Sequence, residues 1–225
     1  MMFINSRRLS KAGVFFLVWI ASIAVAKEHL LRNESLAQTE QGRQLLKYLV
    51  GCALPEADSV FITIDEKKYT FQGNLGWVPG WVDRPMTDAE KRKMSACIAA
   101  HTNFFGKTVQ ISLRSDDLAA PKGFQTTATE RKDYSFFEAG FFGNLFVENP
   151  VSYVCLGNDS AERDKHLESL YRVCSLEHKN VKGFSRCNFK IVGHCKDKPF
   201  MQEGVDYSRE VLQVYLPAPS QNNLK

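Results

Sequence analysis

Six cysteines give this chain its clearest capacity for chemistry: Cys52, Cys97, Cys155, Cys174, Cys187 and Cys195. An even number of cysteines predicts a disulfide framework if the protein matures where thiols are oxidised, and six of them allow fifteen pairings. Cys52 and Cys97 alone fall in the N-terminal half, each on the apolar side of its own predicted helix, so we expect a bridge between these helices. The other four lie close together, and we expect two further bridges among them. The mature protein should then contain no free thiol.

A zinc site is the alternative use of the same sulfurs. Cys174 and His178 are followed by Cys187, His194 and Cys195, so thiolates and imidazoles, which are zinc ligands, fall within one stretch. The chain has no C-x2-C motif, however, and the even cysteine count favours disulfides. We therefore expect no metal and no cofactor.

His101 and Glu138 are the candidate catalytic residues. His101 shares an apolar helical stripe with Phe105, where it is either a buried general base or a histidine satisfied within the core. Glu138 lies in an aromatic segment, and desolvation among rings favours the protonated carboxyl group of a general acid. Its alternative is a rim position or an ion pair with Arg131 or Lys132. Neither a G-x-S-x-G nor an H-E-x-x-H motif accompanies these two side chains.

Trp77 and Trp81 are the candidate binding residues. They lie in a loop, residues 73–85, that also holds three glycines and two prolines. Aromatic rings on such a loop can form a stacking surface for a sugar or a peptide, or they can cover one end of the core. The sequence leaves both interpretations open.

The order of the predicted helices and strands that must position these residues indicates an α+β fold. We expect an antiparallel sheet with about three helices, stabilised by disulfides. Helical apolar spacing predicts helices at 39–53, 87–105 and 159–174, the second opened by a capping box. Alternation and turn residues predict a hairpin at 60–71 and strands at 108–114, 151–155, 187–193 and 210–216. The Phe-rich stretch at 140–144 predicts a tightly packed turn.

The start of the chain has the three parts of a secretory signal peptide. The basic residues Arg7, Arg8 and Lys11 precede an apolar run, and small alanines end that run at positions 24 and 26. The run is too short to cross a bilayer comfortably. We therefore predict cleavage after Ala26 and a secreted or periplasmic mature protein without a transmembrane segment.

Removal of this segment divides the chain into the signal peptide at 1–26, a single globular domain over 27–216 and a disordered tail over 217–225. It also lowers the formal charge from +4 to +1, because the segment carries three basic residues and no acid. A near-neutral domain without a basic block indicates that nucleic acid is not a partner. The hydrophobic content of 44% excludes wholesale disorder.

Binding is the function that these features favour. We expect an exported, disulfide-stabilised module of unknown biochemical activity, with a ligand of the envelope, the extracellular space or a host surface. The alternative is a small secreted hydrolase in which Glu138 or His101 performs acid–base catalysis. Convergence of two titratable groups in one pocket would favour the hydrolase, whereas an exposed aromatic patch would favour the binding module.

Three segments resemble a family of uncharacterised exported bacterial proteins. They are LLKYLVGCALP at 45–55, Ser95-Ala96-Cys97 together with VQISLR at 109–114, and GFFGNLF at 140–146. The resemblance covers roughly residues 43–155. It implies a bacterial origin and the pairing of Cys52 and Cys97 as a unit, and it implies no activity, substrate or catalytic residue.

Exported material should begin at Lys27, because the small residues at positions 24 and 26 fit a signal peptidase site and a charged residue follows directly. N-terminal sequencing of the protein recovered outside the cytoplasm measures this. A start at Met1 in the membrane fraction would instead identify the apolar run as an anchor.

Overall fold

The computed structural model describes residues 36–157 and 163–218. The predicted signal peptide at 1–26 and most of the predicted tail, 219–225, lie outside the described residues. Within the part that is described, no helix is both long and apolar enough to cross a membrane. The fold is α+β, as the sequence predicts, and three disulfides stabilise it.

Four α-helices are described, and side-chain caps set the start of three of them. Thr39, Thr87 and Thr127 each accept a hydrogen bond from a backbone amide three residues ahead, which satisfies a donor that the first turn leaves free. Thr87 forms the complete capping box with Glu90 that the sequence predicts. The helices are α1 (Glu40–Ala53), α2 (Asp88–His101), α3 (Ala128–Asp133) and α4 (Arg163–Ser169).

Two predicted helices end earlier than expected. We expected the second to continue through Phe105, but α2 ends at His101 because Thr102 adopts an extended conformation. We expected the third to reach Cys174, but α4 ends at Ser169, and Tyr171 then takes a left-handed conformation with φ of 60°. Phe105 and Tyr171, which follow these two ends, are both exposed.

The predicted hairpin is present as β1 (Ser59–Ile64) and β2 (Lys67–Gln72). Asp65 and Glu66 join the strands, and both have positive φ, at 46° and 66°. Two positive φ angles in a two-residue loop match the right-handed twist of the strands on either side. The hairpin is a separate two-stranded sheet beside α1.

A seven-stranded sheet forms the centre of the protein. Its strands are β3 (Ser112–Arg114), β4 (Phe136–Asn144), β5 (Val151–Leu156), β6 (Glu177–His178), β7 (Val181–Ser185), β8 (Lys190–His194) and β11 (Leu212–Leu216). They lie side by side in the order β3-β11-β4-β5-β8-β7-β6. Neighbouring strands are antiparallel except β5 and β8, which are parallel and are joined by the crossover that contains α4. A small separate hairpin contains β9 (Met201–Gln202) and β10 (Val205–Asp206).

The Phe-rich stretch at 140–144, which we expected to turn, is the second half of β4, and that expectation is wrong. The strand is buried on both faces, because α2 packs against it on one side and an aromatic cluster with Tyr153 and Tyr207 covers Phe142 on the other. A strand that is buried on both faces loses the apolar–polar alternation by which strands are recognised. Gly140 fits here because a Cβ atom would lie 2.8 Å from the sulfur of Cys155.

The three disulfides join Cys52 to Cys97, Cys155 to Cys195 and Cys174 to Cys187. This pairing confirms the expected bridge between the first two helices and the two bridges confined to the last four cysteines, and no cysteine is free. The alternative zinc site loses its thiolate ligands, since every cysteine in that stretch is bridged. Oxidised sulfurs are typical of proteins that mature in an oxidising compartment.

Replacing Cys52 and Cys97 together with alanine should lower the free energy of unfolding by about 4 kcal/mol, because their bridge closes a loop of 45 residues. The double variant Cys174→Ala/Cys187→Ala is the matched control. Its loop has a sequence separation of only 13, so the expected loss is about 3 kcal/mol. Urea denaturation of both variants measures the difference, and a larger loss for the shorter loop would contradict the expectation.

Candidate functional site

A cleft of about 530 Å³ opens between α1, the end of α2 and the chain that follows α2. Its volume lies in the range of small-ligand sites, about 300–1,000 Å³. Leu45 and Ile98 give the cleft apolar walls, and polar side chains surround them. The lining residues are Gln44, Leu45, Tyr48, Ile98, His101, Thr102, Asn103, Gly106, Lys107 and Thr108.

The Cys52–Cys97 bridge positions the two helices that form the cleft. Tyr48 lies one turn before Cys52, and His101 lies one turn after Cys97. The ring centroids of Tyr48 and His101 are 4.9 Å apart. The helices therefore run in opposite directions past each other, with the bridge at one end of the cleft. Because the bridge is covalent, Tyr48 and His101 stay opposite each other.

His101, a predicted candidate, does line the cleft. Its Nδ1 atom lies 2.8 Å from the carbonyl oxygen of Cys97, and a carbonyl oxygen can only accept a hydrogen bond. Nδ1 therefore carries the proton, and Nε2 carries the lone pair of the neutral ring. Burial lowers the pKa of His101, and the nearby charge of Arg172 lowers it further, so the ring is neutral at pH 7.

The chemical partners of His101 are few. None of the ten described residues that line the cleft is an aspartate, glutamate, serine or cysteine. A ring nitrogen of His101 and the sulfurs of Cys52 and Cys97 lie within 4.8 Å of one another, as metal ligands would, but both sulfurs belong to the disulfide. The neutral imidazole offers its Nε2 lone pair as a hydrogen-bond acceptor, and the described lining adds the hydroxyls of Thr102 and Thr108 but no carboxylate to orient the ring.

Glu138, the second candidate, lies on β4 and is 0% exposed. Its Oε2 atom accepts a hydrogen bond from Nε of Arg172 at 3.1 Å and lies 3.0 Å from Nη2 of the same guanidinium group in an ion pair. Its Oε1 atom accepts a hydrogen bond from the Ser175 hydroxyl at 3.0 Å. The ion pair that we considered with Arg131 or Lys132 is therefore formed with Arg172 instead. Glu138 does not line the cleft and has no access to a ligand.

Arg172 connects this buried pair to the cleft. The guanidinium group, 2% exposed, also donates hydrogen bonds to the carbonyl oxygens of Ala100 and Thr102, at 3.1 and 3.2 Å. Helix C-termini leave carbonyl groups without partners, and Arg172 satisfies two of them. The position of His101, which lies between these two carbonyl groups in the chain, is thereby fixed.

An exposed aromatic patch, which we define as Phe104, Phe105 and Tyr171, borders the cleft. The three side chains are 62%, 51% and 48% exposed. Ring centroids are 5.1 Å apart for the two phenylalanines and 5.8 Å apart for Phe105 and Tyr171. Lys107 lines the cleft, and its Nζ atom lies 5.8 Å from the centroid of Tyr171. The patch and the cleft are therefore one continuous surface.

A tight turn presents the two phenylalanines to solvent. The Asn103 side chain accepts a hydrogen bond from the Phe105 amide and donates one to the Lys107 carbonyl oxygen. Gly106 has φ of 62°, a value that glycine adopts without strain. Sequence reasoning missed this site because it assigned Phe105 to the buried stripe of α2. The Thr102-Asn103 pair before Phe-Phe-Gly was the available indication that the helix ends earlier.

Trp77 and Trp81 do not form the stacking surface that we considered, because they are only 3% and 7% exposed. Trp77 packs edge-on against Phe124, with ring centroids 4.9 Å apart, and its amide donates to the carbonyl oxygen of Cys52. Trp81 lies on a short 3-10 helix, Pro79–Val82. Both rings cover one end of the core, beside α1. This is the second of the two interpretations that the sequence leaves open, a structural role rather than a stacking surface.

Comparisons with protein-family models, with curated proteins and with solved structures found no match to this chain. The resemblance to exported bacterial proteins therefore stays a prediction. The site has to be interpreted from its own chemistry.

The free energy of unfolding should decrease as the pH falls below about 6.5, the value for an unperturbed histidine. The folded protein has a lower pKa at His101, so the unfolded chain binds the proton first and is favoured in acid. The contribution is complete above pH 6.5 and is lost as the pH falls toward the folded-state pKa, by at most about 1.4 kcal/mol per pH unit.

Urea denaturation of His101→Gln at several values between about pH 5 and pH 7.5 measures this contribution. Burial also lowers the pKa of His166, so the comparison is made in a His166→Gln background. In that background His101→Gln should flatten the slope. An unchanged slope would mean that His101 is protonated equally in both states.

Proposed function

We propose that the protein is an exported binding module whose ligand occupies the cleft and contacts the aromatic patch. Its compartment in this proposal is the periplasm or the extracellular space, because three disulfides are stable where thiols are oxidised. Its ligand is a component of the envelope, the extracellular medium or a host surface.

The observation that carries this proposal is the exposure of four aromatic rings around one cleft. Tyr48 is 38% exposed on the α1 side, and the three rings of the patch continue the surface on the other side. Contiguous exposed apolar side chains are costly in water and mark binding sites more often than chance would give. Aromatic residues dominate the energetics of such surfaces, because each provides a large area with few rotatable bonds.

The hydrolase hypothesis gains no comparable support. Among the described cleft residues, the titratable side chains are Tyr48, His101 and Lys107, and no carboxylate is present to orient the imidazole. The hydroxyls in the lining are those of two threonines, and that of Thr102 already donates to the Ile98 carbonyl oxygen. Glu138 lies in the core, where Arg172 and Ser175 occupy both of its oxygens. The two candidate acid–base groups therefore do not converge in one pocket.

A photo-crosslinking amino acid at position 105 tests the proposal in the cells that produce the protein. Phe105 is exposed and lies on the patch, so the replacement should not disturb the fold, and irradiation should give a defined covalent adduct. Position 118 is the matched control, because Leu118 is fully exposed on a different loop, away from the cleft. The same adduct from both positions, or none from position 105, would contradict a ligand at the patch.

A further inference from the structure

The charge around the cleft is one-sided. Lys107 provides a cation, His101 is neutral, and the ten described lining residues and three patch residues include no carboxylate. The nearby guanidinium of Arg172 is paired with the buried Glu138. A ligand carboxylate would therefore meet an attractive charge at the rim, whereas a ligand ammonium group would meet Lys107 and no partner.

Some polar side chains of the lining form hydrogen bonds within the fold, and others are available to a ligand. The Thr102 hydroxyl donates to the Ile98 carbonyl oxygen, and the Asn103 amide holds the turn. Gln44 and Thr108 bring an amide and a hydroxyl to the same cleft without such a role in the fold. These groups match the alternating donors and acceptors of a peptide backbone.

The rings of the patch suit side chains better than a flat ligand. Phe104 and Phe105 meet at 84°, and Phe105 and Tyr171 meet at 75°, so the three rings do not form a common plane. A sugar stacks on a broad ring face, and an anionic lipid surface is recognised by several cations rather than one. Edge-to-face rings beside an apolar cleft instead accept an apolar side chain between them.

We infer that the ligand is a short segment of a partner protein in which an apolar or aromatic residue is flanked by acidic residues. The apolar residue enters the cleft between Leu45 and Ile98, the backbone hydrogen-bonds to Gln44 and Thr108, and a flanking carboxylate pairs with Lys107. This inference names the ligand class of the surface described above and rests on the proposed function.

Three capped tetrapeptides test it: Glu-Phe-Leu-Glu, Gln-Phe-Leu-Gln and Lys-Phe-Leu-Lys. The complete oxidised protein is titrated with each, and amide resonances of the cleft are followed by NMR. The acidic peptide should bind about two- to fivefold more tightly than the neutral one, the range of a partly exposed ion pair, and the lysine peptide should bind most weakly.

Variants at Lys107 separate the contribution of its charge to peptide affinity from that of the shape of the cleft. Lys107→Glu should reverse the order of the acidic and basic peptides, Lys107→Gln should make their affinities nearly equal, and Lys107→Arg should keep the original order. Because Lys107 is exposed, these variants should keep the thermal midpoint of the native protein. Equal affinity of all three peptides for the native protein, or an order unchanged by Lys107→Glu, would overturn the charge inference and leave a binding cleft.

The outcomes also distinguish this inference from the proposed function. If none of the peptides shifts cleft resonances, a peptide ligand is excluded, and titration with an oligosaccharide or with anionic vesicles then identifies a different class of ligand. If crosslinking at position 105 also gives no adduct, the binding module itself is excluded.

Discussion

The buried ion pair between Glu138 and Arg172 holds the cleft in place. Through Arg172, the pair joins Glu138 on β4 to two carbonyl groups at the end of α2 and to the segment that follows α4. A buried ion pair adds little net stability compared with apolar side chains of the same size, but loss of one partner leaves an uncompensated charge. Its main effect here is geometric. Arg172 points into the core, so its neighbour Tyr171 is presented outward, and the same guanidinium fixes the helix end before Phe104.

Local patterns in the sequence predict the parts of the fold that local forces determine. The Thr87 capping box, the hairpin with its Asp65-Glu66 turn and the bridge between Cys52 and Cys97 all follow from neighbouring residues or from helical spacing. The parallel pairing of β5 with β8 does not, because it depends on a crossover whose ends are distant in the chain. A different limit applies to the second half of β4, for which the sequence predicts a turn. Burial on both faces removes the apolar–polar period of two by which a strand is recognised.

Only part of the candidate site could be predicted from the sequence. His101 could be found because it shares a helix face with Cys97, and helical spacing is visible in the sequence. The partner of Glu138 could not be found in the same way, since Arg172 is 34 residues away in the segment that follows α4, and only the tertiary fold brings the two together. The aromatic patch depends on two early helix ends, at Thr102 and at Tyr171, and small differences in local conformation decide both. The aromatic candidates that the sequence offers are therefore Trp77 and Trp81, which are conspicuous in their glycine- and proline-rich loop but lie in the core.

Gly140 has a consequence for the evolution of the chain. A Cβ atom at this position would lie 2.8 Å from the sulfur of Cys155 and 3.2 Å from that of Cys195, both distances shorter than ordinary van der Waals contact. The bridge and the glycine are therefore a single heritable unit. A lineage that loses the two cysteines still has the Cγ1 atom of Val211 at 3.0 Å from that Cβ atom, so alanine on the strand also requires an adjustment at position 211. A lineage that first acquires alanine must shift a sulfur or β4 to close the bridge. Covariation of positions 140, 155, 195 and 211 among relatives would be the trace of that constraint.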